Sequence, residues 1–262
     1  MPDKDNIDKA KLYRDVYVGK ITVYNLPKSV YNFNANKLNH AVKIGFGIAM
    51  DTADEALVEE LHTSVFMFSG AKTFQQTLEM SSKLVDADGF TVAFKEFEAE
   101  ADAIFEKYNV NWLEAEYNTA ITSARSAAHW NNIEKTKRLF PYLQYSAVMD
   151  EHTCEICRPL DGITLPVNDA FWSSNVAPNH FNCECVIIQL DADSADDVTD
   201  KEVVQEKVER SGKEKNPLFN FNPGKDKAIF KDTGKNKHPY FEVSKKYREL
   251  AKRNFDLPIK TT

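Results

Sequence analysis

Asp150-Glu-His-Thr-Cys154-Glu-Ile-Cys157, then 22 residues, then His180-Phe-Asn-Cys183-Glu-Cys185: this stretch holds all four cysteines of a 262-residue chain and two of its six histidines. The spacing C-x2-C … H-x2-C-x-C offers five soft or borderline ligands where a tetrahedral Zn2+ takes four. A C-x2-C turn aims two sulfurs at one point, His180 and Cys183 have an offset that a turn allows, and Cys183 and Cys185 share a face in extended chain. Three ligand sets follow: all four cysteines; three of them with His180; or a set completed by His152. Without metal the alternatives are four free thiols or two disulfides, and the polar start Met1–Asn6 carries no secretory signal that would favour disulfides. Four protein ligands leave no open position for water, so zinc here is expected to be structural. Catalysis would need an open position and a general base, for which Asp150, His152 and Glu184 are the nearby groups.

Around this knuckle the hydrophobic period is two. Leu143, Tyr145, Ala147 and Met149 alternate with Tyr142, Gln144, Ser146 and Val148, which predicts a strand entering the knuckle after Pro141. Asp161-Gly162 signals a turn before a short strand Ile163–Leu165, Phe171-Trp172 a single helical turn, and Val186–Leu190 a third strand leaving.

Upstream the period is helical. Leu57, Leu61, Val65 and Phe68 form one stripe, with Thr52 or Asp54 to cap it; Phe74, Leu78, Ser81 and Val85 form a second, stopped by Asp88-Gly89. Phe94, Phe97, Ala101, Ile104 and Tyr108 form a third, and Leu113, Tyr117, Ala120, Ala124 and Ala127 a fourth reaching about Arg138. Four amphipathic helices with short turns predict a bundle that buries its own core. Before them, Val16–Tyr24 is β-branched and aromatic around Gly19 and reads as a short hairpin or extended arm. The fold class expected is α+β: mainly a helical bundle, followed by a small zinc-stabilised β knuckle.

Composition narrows the function. The hydrophobic fraction of 42% and charged fraction of 28% are those of a folded domain, and the best apolar run, Val42–Met50, is far too short for a membrane span. The net charge of −7 is divided unequally: residues 1–200 hold 17 Lys+Arg against 31 Asp+Glu, residues 201–262 hold 16 against 9. A basic extension on an acidic body suggests contact with nucleic acid or an acidic partner, although solvated lysine-rich tails are common. Asp191–Asp200 reads as an acidic linker, Lys201–Arg210 as a short helix, Asn216–Gly224 as turns around two buried phenylalanines, and Val243–Phe255 as a last amphipathic helix. Gly45-Phe-Gly47 leads into no phosphate loop, and His40, His62, His129 and His238 stand isolated.

Tyr145–Asp150, the Cys154/Cys157 pair, Leu160-Asp-Gly162 and Pro178-Asn-His180-Phe-Asn-Cys183-Glu-Cys185 resemble the phage Mu protein F-like family of head morphogenesis, or minor head, proteins. Trp112–Ala120 is similar to the family's helical part, particularly its Bacteroidetes prophage branch. Two features depart from the family pattern: Glu184 stands where arginine is usual, and many relatives lack the first cysteine pair. The resemblance spans roughly residues 50–190. It implies a structural virion protein, not an enzyme, located in the head interior or at the portal and assembled in the bacterial cytoplasm. Its partners would be portal, capsid and scaffold proteins, with packaged DNA reached through the basic tail and no membrane contact; a role in packaging or ejection is also implied.

The expected organisation is therefore an N-terminal arm with short strands over residues 1–45, a Mu F-like domain over 46–190 (helices 52–138, knuckle 141–190), and a linker with basic extension over 191–262. The expected metal ligands are four of Cys154, Cys157, His180, Cys183 and Cys185, with Asp150 and His152 as accessory groups. A metal-dependent nuclease or toxin-like effector using Asp150, His152 and His180 is one competing reading, and a zinc-knuckle nucleic-acid binder is another.

Overall fold

A computed structural model describes residues 7–47, 54–149, 154–247 and 249. Among them the elements run α1 (Lys9–Tyr17), α2 (Lys28–Phe46), α3 (Glu55–Ser82), α4 (Phe94–Glu106), a π-helical segment (Lys107–Asn111), α5 (Trp112–Thr136), β1 (Tyr142–Ser146), β2 (Thr164–Pro166), β3 (Val186–Leu190), α6 (Lys201–Gly212) and α7 (Pro223–Asp226), with 3-10 turns between several of them. The class is α+β, as the sequence predicts. The chain divides into two compact units, and α2, α3 and α5 each contribute residues to both.

The first unit comprises residues up to His40, then Thr63–Tyr117, then the chain from His238. The N-terminal arm with strands is corrected here. Asp8 caps α1 by accepting from the Lys11 N–H, Leu12, Tyr13 and Val16 turn inward, and only a single bridge, Thr22 to Asn25, has strand geometry. Lys9 reaches Asp102 and Glu106 on α4, and the Tyr13 hydroxyl donates to Asp102 at 2.8 Å. These long-range contacts outweigh the β propensity of Val16-Tyr-Val18. The two stripes read as separate helices are one helix, α3, capped by Asp54 accepting from the Ala56 N–H at 3.0 Å. No Gly or Pro interrupts the join from Phe68 to Phe74 except Gly70, which a helix tolerates.

Within this unit Lys72 pairs with Glu116, both fully inside, and the Tyr240 hydroxyl donates to the other Glu116 oxygen at 2.9 Å. Tyr240 stacks on Tyr108, and His238 meets the edge of Phe68. His238 and Tyr240 are therefore core, not a solvated tail. Of the predicted helix Val243–Phe255, the described part holds a 3-10 turn, Lys245–Tyr247, and a helical Glu249; residue 248 and residues 250–262 lie outside the described residues.

The second unit comprises Ala41–His62 and Asn118–Lys237, except residues 48–53 and 150–153, which lie outside the described set. Its sheet has the order β2-β1-β3, antiparallel throughout, with Leu143 opposite Leu165 and Tyr145 opposite Ile187. Leu143 and Tyr145 point into one core with Trp130, Ile133, Leu160, Ile163, Trp172 and the cysteines. The expected linker is held down: the Thr199 N–H donates to the Thr164 carbonyl at 2.9 Å, and the Thr164 N–H to the Thr199 hydroxyl at 3.0 Å. The basic extension is also largely folded here, with Phe219, Phe221, Ile229 and Phe230 buried and Gly224 set so closely against the Trp130 side chain that an added Cβ would lie 2.3 Å from the Trp130 Cβ.

Lys72→Met leaves Glu116 buried without its cation, and a loss of about 3–5 kcal/mol is expected by chemical denaturation, most of it recovered by replacing Glu116 with Leu as well. Burial and the charge of Lys72 hold His238 down from 6.5 to about 3. Its Nδ1 accepts from the Tyr240 N–H. The unfolded chain therefore takes up this proton below about pH 6.5 while the folded one does not, so stability falls as pH drops from about 6.5 to about 3. His238→Asn, which keeps the cap acceptor, is expected to lose less stability between pH 7 and pH 4 than the wild type.

Candidate metal centre

The C-x2-C turn sits in the loop after β1. The Arg158 N–H donates to the Cys154 carbonyl at 3.1 Å, closing the turn, and Pro159 and Leu160 continue as a 3-10 turn into the core. Gly162, at φ +73°, adopts the left-handed conformation that lets the chain reverse into β2. The Asp161 carboxylate accepts from the Ala147 N–H at 2.8 Å and so ties this turn to the end of β1.

The second half of the knuckle is set by α5. The Thr122 hydroxyl donates to the Cys183 carbonyl at 2.9 Å, Asn118 donates to the Asn182 side chain at 3.0 Å, and Asn182 itself is left-handed at φ 59°. Asn tolerates that conformation because its short amide can bond locally. Further along, the His129 ring meets the Ile187 carbonyl at 2.9 Å and holds β3 to the helix.

The five expected ligands come together as two triads that share Cys157: Cys154, Cys157 and His180 in one, Cys157, Cys183 and Cys185 in the other, the ligand atoms of each within 4.8 Å of one another. Cys157, Cys183 and Cys185 are buried; Cys154 and His180 are partly exposed. Asp150 and His152 lie outside the described residues. The sulfurs of Cys157 and Cys183 are 3.8 Å apart, far too long for a disulfide and equal to the edge of about 3.8 Å that a tetrahedron of Zn–S bonds of about 2.3 Å requires. His180 Nδ1 lies 2.7 Å from the Phe181 carbonyl. That carbonyl can only accept, so Nδ1 donates to it and Nε2 is the nitrogen left for a metal.

The electrostatics favour thiolate. Hydrogen bonds from Cys157 and Cys185, with the backbone N–H groups of Asn179 and Cys185, hold the Cys183 thiol well below its usual range. The Cys157 thiol is pushed up by its bonds to Cys183 and Cys185 and by burial. A divalent cation bound here would favour the thiolate forms and release their protons.

Sequence reasoning missed three residues here. The Tyr145 hydroxyl donates to Cys157 Sγ at 3.4 Å, Asn179 Nδ2 donates to the Tyr145 oxygen at 2.8 Å, and Lys215 Nζ donates to Asn179 Oδ1 at 2.6 Å. Lys215, from the segment after α6, also donates to the Ser174 carbonyl. Burial lowers it to about 8, and the charges acting to raise it are those of Cys157 and Cys183. The alternation that placed Tyr145 on the inner face of β1 was a usable signal; Lys215 looked like any lysine of a basic tail.

A cysteine-rich three-stranded knuckle packed on a long helix is thus the class of site defined here. Residues 71–188 match the model of the family described as phage Mu protein F like protein, so that stretch is similar to this family. The putative capsid assembly protein F of Escherichia phage Mu is 34% identical over 76 residues, which is 29% of this chain and 17% of that protein, so the chain spans less than a fifth of that relative's length. No solved structure matches.

If Asn182 is chosen for its left-handed backbone, Asn182→Gly is expected to stay within about 0.5 kcal/mol of the wild type and Asn182→Val to lose about 1–2 kcal/mol by chemical denaturation.

Proposed function

We propose that the chain is a structural protein of phage head morphogenesis, a minor head protein working at the portal or inner capsid, with a closed zinc centre that fastens its knuckle. The observation that carries the assembly role is the family match, which runs from α3 through the knuckle to β3. The named function of the phage Mu relative, capsid assembly, supports it. The donor set supports the metal: three buried cysteines whose sulfurs lie within 4.8 Å of one another, Cys157 and Cys183 at 3.8 Å, with Cys154 and His180 at the margin. Zinc would supply charge and cross-linking there, joining the loop after β1 to the loop before β3 through Cys157 and Cys183. With its ligands drawn from the protein, the centre would keep no position for a substrate, which favours the structural reading over a nuclease. Among the described residues no helix is long and apolar enough to cross a membrane. Exposed lysines of the extension, such as Lys213, Lys227 and Lys235, would be the groups to meet packaged DNA.

Two measurements test this. Elemental analysis of the purified chain is expected to return about one zinc per molecule, lost on Cys183→Ser, and a chain without zinc removes the metal. Deleting the gene from the phage that encodes it should leave particles defective in head assembly, and purified wild-type heads should contain the protein in a few copies. Infectious, normally filled heads from the deletion would exclude the assembly role.

A further inference from the structure

Lys215 is a buried ammonium without a carboxylate. Both of its hydrogen-bond acceptors, the Ser174 carbonyl and Asn179 Oδ1, are neutral, and none of the ion pairs among the described residues includes it. A buried charge is costly unless an opposite charge stands close by. The structure offers one candidate, at the end of a directed chain of hydrogen bonds. An ammonium can only donate, so Asn179 must present its oxygen to Lys215 and its amide hydrogens to Tyr145. The Tyr145 oxygen then accepts from Asn179, and its own proton goes to Cys157 Sγ. Every member of the relay donates toward the sulfur, and only an electron-rich sulfur completes it.

From this we propose that Lys215 is the counter-charge of the metal centre: a positioning residue that acts through Asn179 and Tyr145 and raises zinc affinity without being a ligand. This rests on the zinc reading given above. The charges balance. Three thiolates and one imidazole around a divalent ion carry one surplus negative charge, and Lys215 cancels it, so the ligand set it favours is three cysteines with His180. Lys215 lies beyond Ile188, where the family match ends, so this chain supplies the counter-charge from its own extension. Metal and extension are thereby coupled, because the segment that carries Lys215 also carries Phe219, Phe221 and Asn222 into the same unit.

The test is zinc affinity of the full chain by competition with a chromophoric chelator, for the wild type, Lys215→Met, Lys215→Arg and Tyr145→Phe. Denaturant stability of each is recorded with zinc and again with excess chelator. Lys215→Met is expected to weaken zinc about tenfold or more, as loss of groups supporting metal ligands does. Tyr145→Phe should weaken it as well, and Lys215→Arg should retain more affinity than Lys215→Met. With chelator present, Lys215→Met should be no less stable than the wild type, since it removes a cation that then lacks its counter-charge. Unchanged zinc affinity in Lys215→Met and Tyr145→Phe, with zinc bound by the wild type, overturns the role of Lys215 and leaves the zinc reading standing. Equal stability losses with and without zinc also overturn it, as the mark of packing alone. A wild-type chain that takes up no zinc overturns the zinc reading itself.

Discussion

The 3.8 Å approach of Cys157 to Cys183 is the constraint on which the second unit turns. It closes two loops that a three-stranded sheet would hold only weakly, since β2 is three residues long and pairs with β1 over just that length. Strand pairing brings Tyr145 opposite Ile187, which fixes where the outgoing loop starts. The sulfurs then decide where it ends. Around them the core is continuous, with Trp172 and Leu160 fully buried on one side and Trp130 and Ile133 of α5 on the other. Sulfur serves here as a small apolar filler and, in the proposed zinc centre, as a ligand atom as well.

Among the described residues two lysines are buried, by opposite means. Lys72 has its carboxylate at once, Glu116, and a tyrosine to satisfy the second oxygen. Such a pair contributes little net stability but makes any rearrangement that separates it expensive. Lys215 has amide, carbonyl and phenol around it, and its electrostatic partner is a sulfur three hydrogen bonds away. The first arrangement is complete within the protein. The second becomes so only when the sulfurs carry negative charge.

Much of this was legible in the residues. The strands follow from periodicity two, the turn from Asp161-Gly162 and the ligand spacing from the cysteine positions, because backbone alternation, turn chemistry and ligand reach are local rules. Three things were not legible. Val16–Tyr24 has strand composition, but Tyr13 and Tyr17 find partners on and before α4 that reward a helix. The stripes Leu57–Phe68 and Phe74–Val85 looked separable because α3 is buried on nearly all sides along residues 67–74, which erases the polar face that would have shown continuity. In the extension the helix from Lys201 and the burial of Phe219 and Phe221 were legible, but the reach of Lys215 and Asn222 into the knuckle was not, because lysine and asparagine in a basic tail carry no positional signal.

That last miss bears on where the functional domain ends. The family match stops in β3, yet Asn222 donates to the Trp172 carbonyl at 2.8 Å and caps α7, and Gly224 leaves room for Trp130 where any side chain would collide. These contacts are polar or steric fits, made at fixed distances, and do not depend on how much apolar area the tail covers. A piece cut at residue 190 would therefore lose more than surface: it would expose Trp172, unseat Asn179 from its lysine, and leave Tyr145 free to turn from the sulfur. The knuckle that matches the family is in this chain the inner part of a larger site, and its outer part is written in a segment whose sequence reads as a linker.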